Sequence, residues 1–507
     1  MDSDDEENVQ RQYSQMTTFK DKFEVAWDFR ARYIDVNRDK INKTVGRSMI
    51  WREIGNKEYT TAKNKDYLRK SIEAYTKSIA FAPLGSKELS LAYAKRSAVL
   101  FKARLYEDCL LDIERSLKTG YPDKLKTKLF LRQSLCFIAL KPSSHIETGI
   151  SMANAIQSLP NFKKNNSNYN IKDEYSKMIN ELKEPREIIK FIPEIKNDNA
   201  VIVGASDAIE LEKTNDNNQH VVATRDIKSG EFIYISEPFA ATPSYELRFT
   251  NCWHCCRQTW AGIPCDNCSA IIYCSDICKK KAWNSYHNIE CLLSEQLWKF
   301  DKILPGHLST VKLFLKTLNL AGGLLELKKK VDNSDSMKNE LIFTNGILNV
   351  NTIDNFLNLD FFEAISNKCT FEIASFVFFV DTNVDWSTVM LPFSKILKLS
   401  CDPNVDWTHV GSNIGYYACK PIKQGQPIVS NRFVTYHTSS KTDRYIVFEK
   451  FFGLPESCEC TACVENWPTI EDLPSYKYDI ADKDQERVKL YDAKIQRVDT
   501  AHRPEKS

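Results

Sequence analysis

The residues best suited to chemistry stand in one stretch of forty: Cys252-x2-Cys255, Cys265-x2-Cys268, Cys274-x3-Cys278 and His287-x3-Cys291. Eight thiolate or imidazole donors in close pairs suffice for two zinc ions, because Zn²⁺ is borderline soft, takes four ligands tetrahedrally and can draw two of them from one tight turn. A disulfide framework is the other use of so many cysteines, but it gives His287 no role. Cys256 and His254 fall between the pairs and are expected to pack beside the ligands rather than bind metal. Near the end, Cys458-x-Cys460-x2-Cys463 supplies three more thiols, which need one distant ligand to close a tetrahedron.

Metal sites need elements to hold them, and 507 residues are enough for two to four domains, each with its own core. Charge narrows the function. With 69 basic and 67 acidic residues the net charge is only +2, which gives no global field for nucleic acid, and Lys279-Lys280-Lys281 reads as a solvated helix face. A zinc finger that read bases would need several Arg, Asn or Gln on one face of a recognition helix, which this finger lacks. The start, MDSDDEENVQ, has no basic region followed by an apolar run, and the apolar stretch around Phe376 to Val380 is too short to span a bilayer. Sixteen cysteines, most in ligand-like spacing, fit a reducing compartment. The expectation is a cytoplasmic or nuclear protein that binds neither membrane nor nucleic acid directly.

Residues 1–45 read as an acidic, largely disordered tail with a lead-in helix. In 46–195, Trp51-x2-Ile54-Gly55, Tyr59, Ser71, Tyr75, Ser78 and Pro83 follow the small-and-aromatic spacing of a tetratricopeptide-like helical hairpin. Tyr93, Ser97, Phe101, Tyr106, Cys109, Ile113, Ser116 and Pro122 repeat it, and Lys126 to Leu140 predicts a further helix. Such a stack offers a concave surface to a peptide, and Lys95, Arg96 and Lys102 are expected on or beside the helix lining it. Lys141 to Asn199 mixes helices with linkers such as Lys163 to Asn170. Residues 196–251 carry short strand patterns at 200–203, 221–224 and 231–235, interrupted by the finger at 252–291. Helical periodicity returns over 292–390, a strand-rich stretch resumes at 414–433 within 391–436, the last cysteines occupy 437–465, and 466–507 is expected to be a flexible tail.

A β region split by such a finger, followed by Ser400-Cys-Asp-Pro-Asn404 and the final cysteines, resembles the SET and MYND domain lysine methyltransferase family, with the match running through "VVATRDIKSGEFIYISEPFA" over roughly residues 50 to 465. The resemblance implies an α+β fold: N-terminal helical repeats, a SET β core interrupted by a MYND finger and a helical insert, and a post-SET zinc site. It pairs Cys252, Cys255, Cys274 and Cys278 on one ion and Cys265, Cys268, His287 and Cys291 on a second. It adds Cys401 to Cys458, Cys460 and Cys463 on a third. By the same resemblance the activity is methyl transfer from S-adenosylmethionine to a protein lysine, on a histone or non-histone substrate, and the finger binds proline-containing peptides.

The residues at the implied cofactor and catalytic positions depart from that family. Its Gly-Arg-Gly turn, where the missing Cβ lets backbone approach the cofactor, is matched by Asn218, Gln219 and His220. Its Asn-His pair before the Ser-Cys-x-Pro-Asn motif is matched by Lys398 and Leu399, and a lysine about 4 Å from the cofactor's sulfonium would be repelled by about 4 kcal/mol at the dielectric of a protein surface. Its tyrosine positions hold Arg432 and Phe451, with Tyr436 the nearest candidate substitute. Two readings follow: a scaffold that grips partners through the repeats and finger, with S-adenosylmethionine doubtful as a ligand, or an active lysine methyltransferase. Loss of Cys252 is expected to unfold the finger and leave the repeats intact.

Overall fold

The computed structural model describes residues 43–61, 66–141, 143–186, 195, 197–213, 219–238, 240–291, 312, 315–316, 319, 322, 377–381, 386–390, 393, 396–431, 435–452 and 458–469, with backbone alone at 213, 219, 377–381, 386–390 and 447–452. The acidic tail before residue 43, Asn218, most of the 292–390 insert, Arg432 and the tail after residue 469 lie outside the described residues.

The first half is helical: α1 (Val45–Thr61), α2 (Tyr67–Phe81), α3 (Lys87–Lys102), α4 (Tyr106–Lys118), α5 (Lys126–Leu140), α6 (His145–Lys163) and α7 (Ile171–Asn180). Small residues let these helices approach closely. A Cβ on Gly55 would lie 2.7 Å from the ring of Tyr75, so only glycine admits that ring against α1. The Tyr75 hydroxyl then donates to Asn56 Oδ1 (2.9 Å), and the Ser48 and Ser78 hydroxyls donate to each other's carbonyl oxygens (2.9 and 2.7 Å). Pro83 follows the extended Ala82 that ends α2, and Ser86 caps α3 by accepting from Leu89 N. The spacing that suggested paired helices is therefore a record of close contacts.

The second half is β-rich. Strands β1 (Ile209–Lys213) and β2 (Gln219–Ala223) pair antiparallel, and β3 (Phe232–Ser236) joins β10 (Val405–Val410) and β11 (Asn413–Ala418) in the order β10-β11-β3. Strand β4 (Ala240–Pro243) pairs with β8 (Trp386–Met390), and β8 with β7 (Val377–Asp381), so the C-terminal end of the expected helical insert is strand. Two-residue strands β9 (Lys398–Leu399) and β12 (Val429–Ser430) run parallel, and β5 (Ile263–Pro264) and β6 (Ile272–Tyr273) form a small ribbon. Helices α8 (Asp276–Ala282), α9 (Lys441–Phe452) and α10 (Thr461–Val464) lie among these strands, with single helical turns at Asp123–Leu125, Tyr245–Phe249 and Trp283–His287.

A core of Ile209, Val221, Ile233, Tyr234, Phe393, Val405, Ile414, Tyr416 and Ile428 binds these strands, with the Tyr234 and Phe393 rings stacked at 3.8 Å. The expected strand at 200–203 is instead a turn. Asn199 Oδ1 accepts from the amides of Val201 and Ile202 (both 2.9 Å), bending the chain before it can pair, while Ile202 still reaches the core.

The finger is held from two sides. Toward the β region, Ser412 N donates to the Cys255 carbonyl (2.7 Å), and Cys256, at φ +54°, sits buried in the β core. A Cβ on Gly411 (φ +62°) would fall 2.5 Å from that same carbonyl, so the β10–β11 turn can press on the finger only as glycine. Toward the helices, Trp260 and Ala261 join the helical core and Ile272 packs with Ala80 and Phe249. Arg96, expected on the concave face, is fully buried at this joint. Its guanidinium makes two bonds to the Asp112 carboxylate (2.6 and 2.8 Å) and donates to Thr76 Oγ1 and to the Gly262 carbonyl (both 2.9 Å). It is a bracket between helices and finger. Lys102 lies over the rings of Tyr59 and Tyr67.

Candidate metal centres

Among the described residues, three groups of four ligands converge so that all ligand atoms within a group lie within 4.8 Å of one another: Cys252, Cys255, Cys274 and Cys278; Cys265, Cys268, His287 and Cys291; Cys401, Cys458, Cys460 and Cys463. A zinc tetrahedron with 2.3 Å Zn–S bonds has sulfur–sulfur edges of about 3.8 Å. Here Cys255–Cys274 is 3.7 Å, Cys274–Cys278 3.5 Å, Cys265–Cys291 3.9 Å, Cys401–Cys458 3.8 Å and Cys401–Cys463 3.4 Å. All are far from the roughly 2.05 Å of a disulfide. The donor sets and edges fit zinc, and because each group already supplies four protein ligands, the ions would be structural.

Local folding explains the convergence. In the first group, Cys274 leaves β6 and Cys278 sits on α8, whose start is fixed by Ser275 accepting from Cys278 N (3.2 Å). In the second, His287 closes a π-helical turn that continues α8 and carries its ring back to Cys265 and Cys268 (Nε2 to sulfur, 3.3 and 3.7 Å). Cys401 reaches the third group because the Ser400–Asn404 turn is pinned to the 427–431 segment. Ser400 N donates to Ser430 O, and the Asn404 side chain donates to Pro427 O and accepts from Val429 N.

Several supporting residues were not singled out from the sequence. Glu290 is buried and accepts from His287 Nδ1 (2.7 Å) and Trp253 Nε1 (3.0 Å), which fixes the ring so that Nε2 faces the ligand cluster. Burial alone would raise its carboxyl, but the His287 bond and charge, then the Lys312 charge and the Trp253 bond, outweigh that and hold it below the usual range. The His-x2-Glu spacing on one helical face was the available signal. Arg257 Nε donates to Cys255 Sγ (3.4 Å) and buried Arg444 to Cys463 Sγ (3.3 Å), offsetting thiolate charge. Buried Lys312 donates to the carbonyls of Ala241 and Trp253 (2.6 and 2.8 Å) and lies over the rings of Trp253 and Tyr286, tying the insert to the finger. Replacing Glu290 by Ala is expected to weaken zinc retention by about 10–100-fold, read by competition with a chelator, while Glu290→Gln keeps the acceptor and loses less.

The family described as SET domain matches residues 218–431, a span that begins at β2, contains the finger and ends at the segment held by Asn404. Protein-lysine N-methyltransferase SMYD4 of Pongo abelii is 30% identical over 283 residues, covering 50% of this chain and 34% of that protein. Its Gallus gallus counterpart is 28% identical over 305 residues, covering 54% and 41%. The chain resembles the SET and MYND domain family. It spans about a third of the length of the curated relatives it matches. A SET and MYND domain-containing protein of Dictyostelium discoideum is 29% identical over 93 residues, covering 18% of this chain and 24% of that protein. The crystal structure of the SET domain of LSMT bound to lysine and AdoHcy aligns with TM-score 0.21 at 10% identity, over 50% of this chain and 54% of that one, too distant to carry an argument.

Of the positions implied by the SET and MYND pattern for the cofactor, those described flank one segment: β2 pairs with it at Val222 and Pro427, and β9 at Val429 and Ser430. His220 sits on β2 opposite Glu212, its Nε2 3.4 Å from that carboxylate, and Asn218 lies outside the described residues. Lys398 and Leu399 form β9, with the Lys398 side chain exposed. Phe451 lies near the end of α9, of which only the backbone is described there, and Arg432 lies outside the described residues. Tyr436 is packed at the third cysteine group. Its ring is edge-on to Trp467 (5.0 Å, 79°), and its backbone N donates to Cys401 O (3.1 Å).

Proposed function

We propose that this methyltransferase-family protein acts mainly as a zinc-stabilised interaction scaffold, with tetratricopeptide-like repeats and a MYND-type finger engaging protein partners, and transfers methyl groups to lysine far more slowly than its relatives. The packing of Tyr436 carries this reading. The nearest residue that could replace the missing phenols packs its half-buried ring on Trp467 beside the third cysteine group, while a SET enzyme needs such an oxygen to orient the substrate amine for in-line attack. The described residues also fit S-adenosylmethionine poorly. Lys398 brings a cation where the family has a neutral side chain, and His220 is turned to Glu212. Because Lys398 is exposed, its ammonium can swing into water, so the repulsion of about 4 kcal/mol is an upper bound rather than the operating penalty.

The expected result is little transfer of radiolabelled methyl to histone or non-histone lysine and weak S-adenosylmethionine binding by the unmodified chain. Lys398→Asn combined with Arg432→Tyr is expected to strengthen cofactor binding by about tenfold, removing two cations from a cationic site. Robust methylation by the unmodified chain would sink the reading. Thiolate ligation suits a reducing cytoplasm or nucleus, and three zinc ions per chain are proposed, one for each ligand group.

A further inference from the structure

We propose that the outer face of α6 is a self-association surface, against which a second copy of this chain lays its own α6 antiparallel. Helix α6 packs on α5 through one face: Ser151 donates to Gln133 Oε1 (3.3 Å), the Ser158 and Thr127 hydroxyls meet at 2.9 Å, and Ala155 is buried. The opposite face of a surface helix is ordinarily polar. Here it carries Ile146, Ile150 and Ile156, which are 76%, 58% and 56% exposed, and Ile146 is the most exposed large apolar side chain among the described residues. A stack of helical repeats needs a polar outer face at its end to stay soluble alone, and α6 does not supply one.

The stripe is complementary to itself. Ile146, Ile150, Ala153, Ile156 and Pro160 follow one another at steps of four, three, three and four, so they share one side of the helix and read the same in both directions about Ala153. A copy related by a two-fold axis at Ala153 therefore sets Ile150 against Ile156 of the second copy, Ile146 against its Pro160, and Ala153 against its own equivalent. Ala153 at the crossing and Gly149 one turn away, with open space where its Cβ would stand, let the helix axes approach to about 8 Å. Charge selects the same direction. Glu147 lies in the first turn and Lys163 in the last, followed by Lys164. Antiparallel alignment brings the acidic end of each helix toward the basic end of the other and opposes their dipoles, whereas parallel alignment sets like beside like. Palindromic spacing and opposite charges at the two ends are what a second copy matches and a partner of unrelated sequence has no need of. One helix face is smaller than the roughly 800 Å² per partner of a standard interface, so the dimer is expected to be weak, with Kd about 10–100 μM.

The test is sedimentation equilibrium of the full chain over about 1–200 μM, a range that brackets the expected Kd. Self-association is expected, and Ile150→Glu, which sets a carboxylate against Ile156 of the second copy, should weaken it by about tenfold or more. Ile146→Glu carries the same test from the end of the stripe if Ile150→Glu lowers the melting temperature. Val201→Glu, at a valine 58% exposed on the 200–203 turn, should change association by less than about twofold. Ala153→Cys tests the register: with oxidised glutathione as oxidant, two copies should join through a disulfide between their 153 positions, found by peptide mapping of the covalent dimer. A monomer at every concentration, association unchanged in both Glu variants, or a covalent dimer joined only at other cysteines would each overturn the proposal. A monomer would leave this face to a segment of the chain outside the described residues or to a different protein. Robust methyl transfer would sink the scaffold reading without touching this proposal, which does not rest on it.

Discussion

Arg96→Met, with Asp112 left in place, is expected to destabilise the helical unit by about 3 kcal/mol, because it takes the two-bond cation from a buried carboxylate and leaves it only the longer Arg115 contact. Both side chains are fully buried. Arg96 also satisfies Thr76 Oγ1 and the Gly262 carbonyl, and Asp112 accepts a further bond from Arg115 Nη1 at 3.2 Å. Removing both members as Arg96→Met with Asp112→Leu is expected to cost much less than the sum of the single changes, since an apolar pair avoids the desolvation that the ions incur. Thermal unfolding of the single and double variants forms the cycle that measures the coupling. The single variant should also speed hydrogen exchange in the 260–264 segment of the finger, where Arg96 and Arg115 hold the Gly262 and Ala261 carbonyls (2.9 and 2.5 Å). A loss below about 1 kcal/mol would mean that the bracket is not closed in solution.

Removing zinc is the second large effect. Structural zinc binds such ligand sets with about 10–16 kcal/mol of apparent free energy, and that free energy belongs to folding because the ligands do not converge in an unfolded chain. Metal analysis is expected to find three zinc ions per chain, in keeping with the three ligand groups. A strong chelator, or Cys252→Ser, should collapse the finger, read by thiol alkylation and near-ultraviolet circular dichroism. From sequence alone the damage is confined to the finger. The packing changes that expectation, because Trp260 and Ala261 belong to the helical core and Ile272 to the contact with Ala80. Losing zinc should therefore also lower the melting temperature of α1–α5. A stoichiometry near two, with Cys458, Cys460 and Cys463 alkylating readily in the folded chain, would remove the third site.

The ligand pairs were legible because zinc chemistry is written in residue type and short spacing, whereas their grouping into sets of four, and the place of Cys401, came from the family resemblance. Cys-x2-Cys and His-x3-Cys report a local turn, and a turn needs only its own residues. The helical hairpins were legible for a similar reason, since Gly55, Tyr75, Ser78 and the α5 pattern record contacts between neighbours in sequence. Supports that come from far along the chain were not. Arg96 looked like a groove cation because an arginine on a helix is ordinarily solvated, and only the arrival of the Gly262 carbonyl, 166 positions away, makes it an interior group. Lys312 likewise gives no sign of burial until the carbonyls of Ala241 and Trp253 surround it.

By itself, then, the sequence determined which atoms can bind metal and where helices alternate with turns. Tertiary structure decided what those features are attached to. The strand pattern at 200–203 was cancelled by one Asn199 side chain that satisfies two amides locally, and a β10 strand with few inward apolar residues formed because β11 lay beside it. The same long-range packing made the finger a wedge between helices and β core, fixed by a glycine turn on one side and a buried ion pair on the other. Short-range chemistry is set by composition and spacing, whereas burial and charge pairing depend on which distant segments meet.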